Sequence, residues 1–254
     1  MNLGLKDARA LVTGGTRGIG RAVAEALADE GVDVAICARH EEAVAEAVAA
    51  LEKRGIRSFG RALDVGDRPA LRSFVAEAAD AFGGLDIVVA NASALVDGGN
   101  EAAFDEAFRV DLMHTMVLAD AAKPHLEKST RGAFISIASI SGVEVYGLGS
   151  VAYGSMKAAL LYSMKCLANG WAKSSIRVNV VSPGTTYFEG GFWEGVEKNA
   201  PKDFAETIAE NPTGRMAKPE EIAAAVTFLA SPVSGFTMGA NLVVDGGFTR
   251  RVQN

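Results

Sequence analysis

Seven short apolar runs rich in β-branched residues recur along the chain: ARALVTG, VDVAIC, IRSFGRAL, LDIVVAN, GAFISIAS, IRVNVVS and ANLVVDG. Between them lie alanine-rich stretches of helical period, near residues 18–29, 41–54, 68–82, 101–127, 151–173 and 219–230. Apolar strands alternating with helices are the pattern of parallel strands covered by crossover connections. The expectation is an α/β fold, doubly wound, with a seven-stranded parallel sheet and helices on both faces. No Pro/Gly/Ser linker, repeat or low-complexity tract divides residues 1–254, so a single domain is expected. One long irregular section, 184–218, holds Tyr187, Phe188, Phe192 and Trp193 between glycines. Its length and aromatic content predict either a mobile apolar cover over a pocket or a flap packed permanently on the core.

Composition narrows the function classes. A chain of 254 residues buries a substantial core without disulfides or metal. Its net charge of −6 argues against a nucleic-acid partner and against an anionic membrane surface. The only cysteines, Cys37 and Cys166, lie in a strand-like and a helix-like run; both are expected to be buried, reduced thiols of a cytoplasmic protein. Lys6, Asp7 and Arg9 precede any long apolar run, which is not the form of a signal peptide, and no run reaches membrane-spanning length. His40, His114 and His125 show no metal-ligand spacing, so each is expected at the surface or an edge and no metal site is predicted.

The segment TGGTRGIG, residues 13–20, follows the first strand and opens the first helix. Gly14 permits the sharp turn, while Gly18 and Gly20 remove side chains where backbone must approach a ligand or a neighbouring strand. The turn, with Thr16, Arg17 and Ile19, presents free N–H groups at a helix N-terminus to a pyrophosphate. This is the Rossmann-type arrangement, although S-adenosylmethionine enzymes use similar turns. The second strand ends at Ala38 and Arg39, where an NAD-binding fold normally places a carboxylate for the ribose diol. Without that carboxylate a 2′-phosphate is not repelled, and Arg17 and Arg39 are expected to pair with it. The predicted cofactor is therefore NADP(H) in preference to NAD(H).

Tyr153 and Lys157 stand four apart in SVAYGSMKAA. On a helix that spacing brings both side chains to one face, about 5–6 Å apart at Cβ. Alone, such a pair is either chemistry or a solvated contact. Taken with TGGTRGIG, LDVGD, LDIVVANAS, SIASISG, RVNVVSPG and the closing LVVDGG, however, YGSMK makes the whole chain resemble the classical short-chain dehydrogenases/reductases.

The resemblance implies that Tyr153 is the general acid/base, that Lys157 favours its phenolate and holds the nicotinamide ribose, and that Ser139 hydrogen-bonds the reacting oxygen. A phenol of ordinary pKa is a poor base at neutral pH; bringing one from about 10 to about 7 takes roughly 4 kcal/mol. One ammonium about 4 Å away supplies about that much at an effective dielectric near 20. Ser139 lies fourteen positions before Tyr153, where the family usually has thirteen, so one inserted loop residue is required and Ser141 is the substitute. By the same resemblance Asp64 and Val65 flank the adenine, Asn91 and Ala92 line the cleft, and Pro183, Gly184 and Thr185 or Thr186 meet the carboxamide end. It further implies a homotetramer built on the helices at 101–127 and 151–173.

Three positions depart from the pattern. Asp111 stands where the family usually has the asparagine that anchors a relay water, and so joins the catalytic set as a carboxylate that either still holds the water or attracts Lys157 and weakens its hold on the phenolate; catalysis is expected to survive with a shifted pH profile. Ser93 replaces a glycine after the fourth strand, and Phe188 replaces the usual threonine of PGxxxT. The implied activity is interconversion of a ketone and a secondary alcohol, on a 3-oxoacyl thioester or another apolar carbonyl compound. A dinucleotide-binding regulator without turnover is the alternative; a methyltransferase of similar fold would leave Ser139, Tyr153 and Lys157 without work.

Overall fold

The computed structural model describes residues 2–252. Seven parallel strands form one sheet: β1 (Arg9–Thr13), β2 (Asp33–Ala38), β3 (Ser58–Ala62), β4 (Ile87–Ala90), β5 (Ala133–Ile137), β6 (Arg177–Pro183) and β7 (Asn241–Val244). Their order is β3-β2-β1-β4-β5-β6-β7, so the winding reverses between β1 and β4. Val12 of β1 registers with Ile36 of β2 on one side and Val89 of β4 on the other. A crevice opens where the carboxyl ends of β1 and β4 diverge to opposite crossovers, and ligands of such sheets bind there.

Helices cover both faces. On one lie α1 (Gly18–Asp29), α2 (Glu41–Glu52) and α9 (Pro219–Ala230), packing Val23, Leu27, Leu51 and Val226 onto Val12, Ile36 and Val89. On the other, α3 (Arg68–Phe82), α5 (His114–Leu126) and α6 (Val151–Trp171) pack Phe74, Leu118 and Met164 onto Leu11, Val88 and Phe134. Alternate strand residues thus feed two cores, and each fully buried Leu, Ile or Phe contributes about 1.5–3 kcal/mol. Local signals set several boundaries. For α3, Asp67 accepts from Ala70 N–H at 3.0 Å, Pro69 sits in the first turn, and Gly83 ends the helix at φ 78°.

Two stretches differ from the sequence expectation. The single helix expected over 101–127 is α4 (Glu101–Ala107), a π-helical segment (Phe108–Met113) and α5. A π segment inserts a residue into the ladder and re-aims side chains; this one carries Asp111. The section 184–218 is largely helical, with α7 (Phe192–Asn199) and α8 (Pro201–Glu210). Each is short; Gly190 and Gly191 precede α7, Gly195 lies within it and Pro201 opens α8, which hides their period in the sequence. Tyr187 stacks edge-on to Phe204, 5.9 Å between centroids, and Phe192 to Trp193 at 5.2 Å. Cys37 is buried, as expected, but Cys166 is exposed, because α6 turns that face away from the sheet. No helix among the described residues is long and apolar enough to cross a membrane.

Candidate active site

The glycine turn sits at the crevice. Gly14 and Gly18 adopt φ of 68° and 54°, a region disfavoured for residues with a Cβ. No side chain caps the N-terminus of α1 and no acidic residue stands in its first turn, so its N–H groups face outward unneutralised. Those features fit an anionic group such as a pyrophosphate. Asn91 donates its side-chain amide to the carbonyls of Thr13 at 2.9 Å and Gly14 at 3.3 Å, so its side chain holds the turn rather than reaching into the cleft. Ala92 lies beside it, half-buried. Arg17 and Arg39 are both exposed; Arg17 donates to the Gly190 carbonyl at 3.0 Å. Phe188, the residue at the usual threonine position, stacks its ring over Gly18: a Cβ there would lie 2.5 Å from the ring. The section 184–218 therefore lies directly on the turn.

Beyond β3, Asp64 accepts from Gly66 N–H at 2.8 Å and from Arg109 Nη1 at 3.0 Å. Burial raises the Asp64 pKa, but these two donors outweigh it and hold the carboxyl below its ordinary value. Val65 is buried next to it. At the far end, Pro183 closes β6 and Gly184 N–H donates to Val244 carbonyl at 2.9 Å. Thr186 donates to the Gly184 carbonyl at 3.1 Å, whereas the buried Thr185 hydroxyl has no partner among the described residues. Of the two threonines expected at the carboxamide end, only Thr185 therefore has a hydroxyl free of a partner among the described residues.

Tyr153 and Lys157 share one face of α6, with the Lys157 Nζ 5.4 Å from the centre of the Tyr153 ring. Lys157 is buried and donates to the Ile137 carbonyl at 3.1 Å, and its Nζ lies 3.2 Å from Asp111 Oδ1. Burial pushes the ammonium down; the charge of Asp111, then Tyr153 and the hydrogen bond to Asp111, outweigh it and raise Lys157 above its ordinary value. Ser139 begins a short 3₁₀ turn, and its hydroxyl oxygen accepts from Ser141 N–H at 3.1 Å, which leaves its proton to donate elsewhere. This loop is pressed onto α6. A Cβ on Gly142 would lie 2.7 Å from the Lys157 carbonyl carbon, and one on Gly154 2.7 Å from the Ser141 carbonyl oxygen. The glycines of SISG and YGSMK therefore bring the serine loop and the Tyr/Lys helix together.

Two partners were not legible in the sequence. Ser93 donates its hydroxyl to Asp111 Oδ1, so the two departures from the family pattern form one pair. His114, expected at the surface, is buried: Nε2 lies 3.0 Å from the Thr13 hydroxyl and Nδ1 3.1 Å from the Val110 carbonyl. The Thr13 oxygen already accepts from Asn91 and Ala92 N–H at 3.0 and 3.2 Å, so it donates to Nε2, and Nδ1–H donates to Val110. The ring is neutral and ties the π segment to the end of β1. A paired departure and an unexplained histidine beside Asp111 were the signals available.

A doubly wound sheet with an anion-accepting turn at its switch point, and a Tyr/Lys helix packed against a serine loop beside it, defines a dinucleotide-binding oxidoreductase. A family model described as enoyl-(acyl carrier protein) reductase matches residues 14–249. Isoepoxydon dehydrogenase patN of Penicillium expansum is 36% identical over 97% of this chain and 96% of its own. Cis-4-hydroxycyclohexanecarboxylate dehydrogenase of Sinomonas cyclohexanicum is 35% identical, covering 94% and 96%. Among solved structures, L-sorbose reductase from Gluconobacter frateurii, complexed with NADPH and L-sorbose, superimposes with a TM-score of 0.92 at 30% identity, over 99% of this chain and 100% of that one. A short-chain dehydrogenase from Burkholderia cenocepacia in complex with NADP gives 0.89 at 33%, over 96% and 99%. The chain belongs to the short-chain dehydrogenase/reductase family.

Proposed function

We propose that this protein is an NADP(H)-dependent oxidoreductase that interconverts a ketone and a secondary alcohol on an apolar body. The observation that carries the reading is the buried Lys157 ammonium beside the Tyr153 ring, 3.1 Å from the Ile137 carbonyl and 3.2 Å from Asp111 Oδ1. NADP(H), when bound, supplies or accepts the hydride. The N–H groups of the glycine turn hold the pyrophosphate, and Arg17 and Arg39 take the 2′-phosphate. The Tyr153 hydroxyl exchanges a proton with the substrate oxygen, and Ser139 donates a hydrogen bond to that same oxygen. Thr185 orients the carboxamide. Leu95, Val145, Leu148 and Phe192, all exposed, offer apolar surface to the substrate, and the section 184–218 covers it. A relative is named for a hydroxycyclohexanecarboxylate, whose apolar ring suits the same rim, so cyclic ketones join 3-oxoacyl thioesters as candidate substrates.

The test begins with mass spectrometry of the copurified nucleotide, expected to be NADP(H). NADPH oxidation against a ketone panel follows, with Tyr153→Phe as the control. Loss of a general acid costs about 10²–10⁴-fold in kcat, with cofactor affinity unchanged. A Tyr153→Phe enzyme of full activity refutes the proposal. The same reading places the protein in the cytoplasm as a homotetramer in which α5 and α6, with Tyr162 76% exposed, pair with other copies; sedimentation equilibrium at four times the chain mass is the expected result.

A further inference from the structure

Asp111 and Lys157 form a sealed ion pair, with side chains 0% and 2% exposed and 3.2 Å between Oδ1 and Nζ. The carboxylate is furnished on every side: Ser93 donates its hydroxyl to Oδ1, and Ala94 N–H reaches Oδ2 at 3.4 Å. Two residues from the loop after β4 and one from α6 thus converge on a single carboxylate of the π segment. In a dry site such a set is held only if charge and hydrogen bonds are matched. The formal charge of the pair is zero. With a neutral residue at 111, Lys157 would leave a net charge of +1 at the same place.

This difference bears on which form of the cofactor the site favours, given the dinucleotide reading on which the inference rests. The oxidised nicotinamide ring is cationic and the reduced one neutral, whereas both forms carry the same phosphates. Everything contributed by the glycine turn, Arg17 and Arg39 therefore cancels in the ratio of the two affinities, and what remains is the charge at the nicotinamide end. We propose that Asp111 is a positioning residue that sets this charge: by neutralising Lys157 it makes the protein hold the oxidised dinucleotide at least as tightly as the reduced one. At equal concentrations the protein is then loaded with the form that begins alcohol oxidation. The paired departures at Ser93 and Asp111 have one cause in this view, since the serine hydroxyl satisfies a carboxylate that an asparagine would not present.

Isothermal titration with NADP⁺ and with NADPH, on the wild type, Asp111→Asn and the double variant Ser93→Gly/Asp111→Asn, tests the assignment without turnover. Removing one charge from a water-poor site is expected to raise the ratio Kd(oxidised)/Kd(reduced) by about tenfold or more in both variants. An unchanged ratio, or equal weakening of both forms, overturns it and leaves Asp111 with a purely structural role. The wild type decides the matter even if the variants fail to fold: reduced cofactor bound tighter than oxidised refutes the proposal. Failure to bind either form would instead sink the oxidoreductase reading, and this inference with it.

Discussion

His114 links pH to stability through a single buried ring. Burial disfavours its charged form most; the Val110 carbonyl opposes this, the Lys157 ammonium adds to it, and Asp111 offsets part, leaving the imidazole pushed down from 6.5 to about 4. Above pH 6.5 the ring is neutral both folded and unfolded and contributes no pH dependence. As pH falls from 6.5 to 4 the unfolded chain takes up a proton that the folded chain refuses, so stability falls across that window and levels off below it. At about 1.4 kcal/mol per unit, the full loss is about 3 kcal/mol by pH 4. Carboxylates elsewhere also titrate here, so the informative quantity is the difference between wild type and His114→Gln, which keeps an acceptor for the Thr13 hydroxyl. Urea unfolding at fixed protein concentration, in half-unit steps from pH 7.5 to 4.0, measures it. The wild type is expected to lose about 3 kcal/mol more than the variant over the window. Parallel curves for the two proteins would show that the ring is already charged or exposed, and would remove its assignment as a neutral tie between β1 and the π segment.

Other consequences are open to direct measurement. A Cβ on Gly20 would lie 2.2 Å from the Gly14 carbonyl oxygen and 2.4 Å from Asn91 Nδ2, so Gly20→Ala must move backbone; about 3 kcal/mol of destabilisation by urea titration is expected, with weaker nucleotide binding. Arg17→Ala and Arg39→Ala are each expected to weaken 2′,5′-ADP about tenfold while leaving ADP unchanged, as loss of one charge-assisted bond requires; equal effects on both ligands would show that neither arginine meets the 2′-phosphate. A thiol reagent should spare Cys37, which is buried with its thiol pushed up to about 12, until denaturant is added. Rapid native labelling of Cys37 would contradict the packing of β2.

The sheet, the turn and the Tyr/Lys pair were legible in the sequence because their causes are local. Buried parallel strands read as continuous apolar runs, a strand-to-helix turn with φ above zero demands glycine, and four positions on a helix always return to the same face. The helical period likewise placed α3 at residues 68–82. Residues far apart in the chain were another matter. The pull of Asp111 on Lys157 was expected across 46 positions, but the π segment that carries Asp111 and the Ser93 hydroxyl that pairs with it were announced by no periodicity. The exposure of Cys166 and the burial of His114 depend on which face of α6 and of α5 docks, and both helices are apolar over so much of their circumference that their sequences do not choose. The helices α7 and α8 escaped notice because each is too short to hold itself together and is ordered by contacts such as Tyr187 on Phe204. The chain alone therefore determined its fold and the pairing of Tyr153 with Lys157 on one helix face; desolvation, long-range charge and the choice of packed face, which only the assembled tertiary structure supplies, decided the surroundings of that pair.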